Sequence, residues 1–165
     1  MKLKQRFHNI TLTLLFLILL SFLLISAPAF SYPVKFTDSK GNKITIEKRP
    51  AHVVSLVPSI TEIIFKIGAE DAIKGVTYHD TYPPEMASEE IVGGFFSPSL
   101  MAIEKIQPDV IFLSRLHKRV REIFGNNGCQ LIDFETASIS DSYKNILLLG
   151  KIFNKGNEAA GIVHD

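Results

Sequence analysis

Cysteine occurs once in the 165 residues, at Cys129. A lone thiol forms no internal disulfide, so the chain is not a small domain stapled by disulfides. Its place at the start of an apolar run predicts an inert, buried thiol opening a strand. An excess of charge of one sign is also missing, with 18 Lys and Arg against 17 Asp and Glu. The one dense basic run, Arg115, Lys118, Arg119 and Arg121, falls on the polar side of a predicted helix and reads as a solvated face. No basic groove is available for nucleic acid. Catalytic signatures are lacking as well. There is no G-x-S-x-G elbow, no H-E-x-x-H, no pair of cysteines and no phosphate-cradling glycine loop. Ser59, His79 and Asp80 include the residue types of a hydrolase, but His79 beside Asp80 in sequence is poor geometry for a proton relay. His52, His79, His117 and His164 are scattered, without metal-ligand spacing. These absences predict a protein that is not an enzyme and carries no cofactor or metal of its own.

A long hydrophobic run is present only at the start. Met1 to Asn9 holds Lys2, Lys4 and Arg6 and no acid, Ile10 to Ile25 is almost continuously apolar, and Ala27-Pro28-Ala29 follows. That order is the three-part pattern of a secretory signal peptide over 1–29, cleaved after Ala29, and predicts an exported, periplasmic protein. An uncleaved anchor is the alternative. No cysteine stands at the cleavage site to carry a lipid. Without that segment the chain keeps fifteen basic against seventeen acidic residues and has the length for one domain.

The remainder reads as strands alternating with helices. Val34 to Ile46, within residues 30–50, alternates apolar and polar residues around Asp38-Ser39-Lys40-Gly41-Asn42 and predicts a β-hairpin. Val53-Val54-Ser55-Leu56-Val57 is a short, β-branched, buried strand. After Pro58, Ser59 and Glu62 form an S-x-x-E capping box. Ile60, Ile63, Ile64 and Ile67 then share one helical face, and Gly68 closes the helix. Further strands are predicted at Ile73–Thr77, Val110–Leu113 and Cys129–Phe134. One helix is expected after an N-cap at Ser97 with Pro98 behind it. A second carries Leu116, Val120, Ile123 and Phe124. A third is capped by Ser138 and Asp141 and carries Tyr143, Ile146, Leu147 and Ile152. A new helix starts at Glu158. Strand and helix alternate over 51–157, which predicts an α/β fold: a Rossmann-like parallel sheet of about four strands with helices on both faces, preceded by the hairpin. Ligands of such sheets sit beyond the carboxyl ends of the strands, here Pro58-Ser59, Tyr78-His79-Asp80 and Ser114-Arg115.

Four stretches, VVSLVPSITEIIFKIGA, GVTYHDTYPPEM, VGGFFSPSL and AIEKIQPDVIFLS, stand together in this order and spacing. The pattern resembles the periplasmic substrate-binding proteins of iron-siderophore, haem and cobalamin ABC importers over essentially all of His52 to His164. The resemblance implies two Rossmann-like lobes joined by a long helix, a ligand held between them, and delivery to an ABC permease in the inner membrane. Only the N-terminal lobe is present in these residues, and 158–165 corresponds to the opening of the inter-lobe helix. The chain then reads as a fragment, as a truncated remnant, or as one lobe that a partner completes. Relatives commonly carry a permease-docking glutamate early in the helix after the GGFF-like loop. Met101 occupies that position here, and Glu104 lies one turn on.

Tyr78, Phe95 and Phe96 are the candidates for ligand contact, because a flat metal chelate such as a corrinoid, haem or ferric siderophore favours aromatic faces. Gly93-Gly94 allows close backbone approach. His79 and Asp80 are the polar candidates, with His79 able to meet a metal centre or to donate to a carboxylate or amide. Ser55 and Ser59 are placed to donate to ligand oxygens.

Overall fold

The computed structural model describes residues 32–164, so the expected signal peptide over 1–29 lies outside the described residues. No helix among the described residues is long and apolar enough to cross a membrane. The hairpin forms as read: β1 (Val34–Thr37) pairs antiparallel with β2 (Lys43–Ile46). Then come β3 (Val53–Ser55), α1 (Pro58–Lys66), β4 (Ile73–Val76), β5 (Glu90–Ile91), α2 (Leu100–Ile106) and β6 (Val110–Leu113). The chain continues through α3 (Lys118–Phe124), β7 (Gln130–Asp133), α4 (Ile139–Ile152) and α5 (Gly156–His164).

Strands β3 to β7 make one parallel sheet in the order β5-β4-β3-β6-β7. The sheet has five strands rather than about four. The extra one, β5, is two exposed residues at the edge, too short and too polar to show an alternating pattern. Successive residues of the central strands turn to opposite faces, as the pleat requires. Val53, Val110 and Phe112 enter one core with α1, α4 and α5, while Val54, Ile111 and Leu113 enter the other with α2 and α3. Val34, Ile44 and Ile46 of the hairpin join the first core, so the hairpin packs as part of the same unit as the sheet.

Local chemistry corrects several helix starts. In α1 the capping box does not form: Val57 is the N-cap, Pro58 takes the first helical position, and Ser59 is left exposed inside the first turn. The far end closes as read. Gly68, at φ +71°, lies one residue past the C-cap Ile67. Its N–H bonds the Phe65 carbonyl and that of Ala69 bonds the Ile64 carbonyl, a Schellman closure. Helix α2 is capped by Ser99, whose hydroxyl accepts from the Ala102 N–H at 3.3 Å. Ser97 and Pro98 stay in the preceding loop because Pro98 bridges back to Gly93. Ser138 caps α4 as expected.

Arg121 is not part of a solvated basic face. It reaches across to Asp133, whose side chain is 3% exposed, and pairs with that carboxylate. Asp38, also buried, accepts from the Asp133 N–H at 3.2 Å and closes the hairpin turn through Lys40 N, Asn42 N and Asn42 Nδ2. Burial pushes the Asp133 carboxyl above its ordinary range, against the pull of Arg121. Cys129 falls just before β7, partly exposed rather than buried, and desolvation pushes its thiol up to about 12. Leu116 lies outside α3, and Ile123, Tyr143 and Leu147 are between 40% and 54% exposed together with it.

Candidate ligand-binding edge

Strand order reverses around β3: the chain runs outward through β4 and β5, then crosses back to β6 and β7. In parallel sheets such a reversal opens a crevice at the carboxyl ends of the strands. The segments at that edge are the starts of α1 and α2, the turn after β4, the loop 93–97 after β5, the turn after β6 and the segment after β7. Tyr78, Tyr82, Phe96, Leu116 and Ile139 all belong to them and are 54% to 78% exposed. Large apolar side chains bared together on one edge mark a surface that meets something.

The turn after β4 is tied by Asp80. Its Oδ2 accepts from the Thr77 N–H at 2.8 Å and the Thr77 hydroxyl at 2.6 Å. Its Oδ1 is buried with no partner among the described residues. The Tyr78 N–H bonds the Gly93 carbonyl at 3.0 Å, which joins this turn to the aromatic loop. That loop needs its glycines. Gly93 sits at φ +99°, and a Cβ there would press on the backbone of Ser97 and Ser99. A Cβ on Gly94 would overlap the ring and hydroxyl of Tyr78, which lies against it.

Phe95 and Phe96 meet edge to face, with centroids 4.8 Å apart at 86°. The two rings differ in role: Phe96 is 78% exposed, whereas Phe95 is half-buried against the His117 ring, 5.2 Å away and also edge to face. The backbone of Phe95 lies between two imidazoles. Its N–H donates to Nδ1 of His79 at 3.1 Å, and its carbonyl meets Nε2 of His117 at 2.7 Å. His117 Nδ1 accepts from the Ser114 N–H at 3.0 Å, so the His117 proton is on Nε2 and is donated to Phe95. The sequence placed His117 among scattered histidines; it is in fact 4% exposed and helps build the edge.

Burial holds the His117 imidazole below its ordinary pKa of 6.5. Its contribution to stability is therefore full above about 6.5 and is lost as pH falls through the depressed value. Urea midpoints of the parent are expected to drop between pH 7 and 5, with a smaller drop in His117→Gln. Parallel curves would place the acid sensitivity elsewhere.

Ser55 is fully buried and accepts from the Thr61 hydroxyl at 2.8 Å, so it is not on the surface a ligand reaches. A three-residue strand leaves its last side chain under the first turn of α1. Ser59 is exposed at the same edge, and a recess of about 440 Å³ beside it is lined by Phe65, Tyr82 and Ile162. Tyr78, Phe95 and Phe96 do not line that recess. Glu104 is exposed on α2, and Met101 in its first turn is 81% exposed. Among the described residues no three His, Cys, Asp or Glu side chains gather into a metal-ion site.

Comparison with known proteins agrees with this fold. The chain is 30% identical over 125 residues to an uncharacterized ABC transporter substrate-binding lipoprotein, YvrC, of Bacillus subtilis, covering 73% of this chain and 40% of that protein. A cobalamin-binding protein of Halobacterium salinarum is 33% identical over 86 residues, covering 50% of this chain and 23% of its own length. Among solved structures, the iron uptake ABC transporter substrate-binding protein PiuA of Streptococcus pneumoniae superposes with a TM-score of 0.69 at 20% identity. It covers 79% of this chain and 48% of PiuA, and that likeness is one of fold. The chain thus spans less than half the length of each. The family model for periplasmic binding proteins matches residues 53–165, from β3 onward through every strand and helix of the parallel sheet, and the chain belongs to that family.

Proposed function

We propose that this protein is the substrate-binding component of an ABC importer. It captures a metal-chelate nutrient, a cobalamin-like corrinoid or a ferric siderophore, and delivers it to a permease in the inner membrane. One observation supports this above the rest: Tyr78 and Phe96 stand bare on the edge where a reversed strand order opens the sheet. Aromatic faces offer a flat ligand a large contact at little entropy cost. On the same edge the exposed Ser59 hydroxyl supplies a polar contact, and Asp80 holds the turn that carries Tyr78 and His79. The described unit forms one wall of the ligand cleft, export places it in the periplasm, and Glu104 on the outer side of α2 is the docking residue toward the permease.

Capture is non-covalent. In the neutral ring of His79 the Nδ1 lone pair is occupied by the Phe95 N–H, so the proton is on Nε2 and no basic nitrogen faces a nucleophile. Asp80 bonds Thr77 and not His79, so the two do not form the hydrogen-bonded pair that a relay requires.

Titration with cyanocobalamin, haemin and a ferric catecholate, followed by absorbance, tests the reading. Tyr78→Ala and Phe96→Ala are each expected to weaken binding about tenfold, a loss of about 1.4 kcal/mol. Both side chains are exposed, so thermal midpoints should stay near the parent's. Parent affinity in both variants would move the site elsewhere, and no binding of any probe by the parent would remove the importer reading.

A further inference from the structure

We propose that His79 and His117 are positioning residues: together they grip the backbone of Phe95 from both sides and so set the Phe95–Phe96 pair, and neither imidazole ligates the metal of the cargo. The proposal rests on the reading of this edge as the ligand site. Its structural half stands without it.

The base of the loop 93–97 is tied by the Tyr78 N–H to the Gly93 carbonyl at 3.0 Å, and its tip has little else to fix it. Its own bonds are Gly94 N–H to the Ser97 carbonyl at 3.2 Å and Ser97 N–H to the Gly94 carbonyl at 3.1 Å, and these close a turn without anchoring it to the sheet. The turn's own bonds leave over the N–H and C=O of its two central residues, and of these Phe95 is the one whose pair is taken up. Both go to histidines from different parts of the fold, His79 after β4 and His117 at the N-cap of α3. A loop residue held at its N–H and at its C=O has the peptide on either side of it fixed, and the ring it carries is then aimed. His117 adds an edge-to-face contact to the Phe95 ring, and Phe95 in turn supports Phe96. The order bound in advance is order the ligand need not impose.

Tautomer follows from the same geometry. Each imidazole accepts at Nδ1, from Phe95 or from Ser114, so each carries its proton on Nε2. His117 donates that proton to the Phe95 carbonyl. His79 is exposed, ring against Tyr78 at 4.4 Å, and presents an N–H rather than a lone pair. A metal centre needs the lone pair, whereas a carboxylate or carboxamide at the rim of a chelate accepts the N–H. The edge is therefore built for a cargo recognised through peripheral acceptors, its metal already saturated.

Imidazole ¹⁵N spectra of the 165-residue chain read the tautomers directly. A pyridine-type Nδ1 and a pyrrole-type Nε2 are expected on both histidines; the reverse at either would overturn the proposal. Amide exchange at Phe95 tests the grip. His79→Ala should speed it at least tenfold, and His79→Asn, whose side-chain oxygen stands near the lost Nδ1, should restore much of the protection. Unchanged exchange in His79→Ala would overturn it. In the titrations above, His79→Asn should hold cyanocobalamin better than His79→Ala does. Equal losses, or a low-spin imidazole-iron spectrum with haemin that His79→Ala abolishes, would make His79 a direct contact and overturn the assignment. If the parent binds no probe the importer reading fails, and exchange at Phe95 still decides the grip.

Discussion

Replacing Arg121 with methionine should cost about 3–5 kcal/mol of stability at neutral pH, a large share of what a domain of this size has to lose. The loss comes less from the missing attraction than from what stays behind. Asp133, 3% exposed, would keep its charge beside the buried carboxylate of Asp38 with its guanidinium partner gone. Arg121 also donates to the Ser114 carbonyl at 3.3 Å, so the end of β6 would lose a tie as well. The pH dependence identifies the mechanism. Asp133 already titrates above 3.8 because it is buried, and Arg121 is what opposes that rise. A carboxyl whose folded pKa is raised favours the folded state at low pH, and that benefit disappears as pH climbs through the raised value. Removing Arg121 raises it further. The gap between variant and parent should therefore be widest near pH 7 and narrow toward pH 5 in urea unfolding. Arg121→Met with Asp133→Asn should recover part of the loss at pH 7. A small, pH-independent loss would mean that the pair is solvated.

Phe112→Ala should cost a similar amount, about 3–5 kcal/mol, for an unrelated reason. Phe112 is fully buried and stands edge to face with Phe134 at 5.4 Å and Phe153 at 6.1 Å. These rings come from β6, from the residue after β7, and from the C-cap of α4, so the cavity would open where sheet and helix layer meet. The backbone on all three sides is held by ladder or helix hydrogen bonds and has little room to collapse into the space. A lower urea midpoint with unchanged slope is the expected observation. A loss under about 1 kcal/mol would show that α4 closes over the gap. Phe112 faces the core opposite α2 and α3, so residual ligand binding well below the midpoint should match the parent.

The contrast between these two residues shows what a sequence makes visible. Phe112 was legible: Val110-Ile111-Phe112-Leu113 is apolar throughout, and a strand with that pattern is covered on both faces. The same signal exposed Val53-Val54, the hairpin alternation and the isoleucine stripe of α1, and with them the α/β fold. Arg121 was not legible, because it stands in a run with Arg115, Lys118 and Arg119, and its partner is brought near only by the pairing of β6 with β7. Nothing local separates the one arginine that turns inward. His117 was hidden the same way, since its bond to Phe95 crosses 22 residues. Ser59 misled for a different reason: an S-x-x-E spacing was real, but Pro58 suits the first helical position and moved the cap to Val57. Tyr78 and Phe96 could be named from their loops and flanking glycines, whereas which phenylalanine faces outward depended on the turn that carries them.

Strand order also has a consequence for how the chain comes together in time. β3 is the middle of the sheet, yet the first neighbour it can acquire is β4; its other edge waits for β6, which begins at Val110. Until then a β-branched strand bears a row of unpaired amides along one side, and no hairpin can shield it because every partner is parallel. While the chain emerges, β3 and β4 would expose a sticky edge that only the later half can close. Chaperone demand should therefore fall sharply once β6 has emerged.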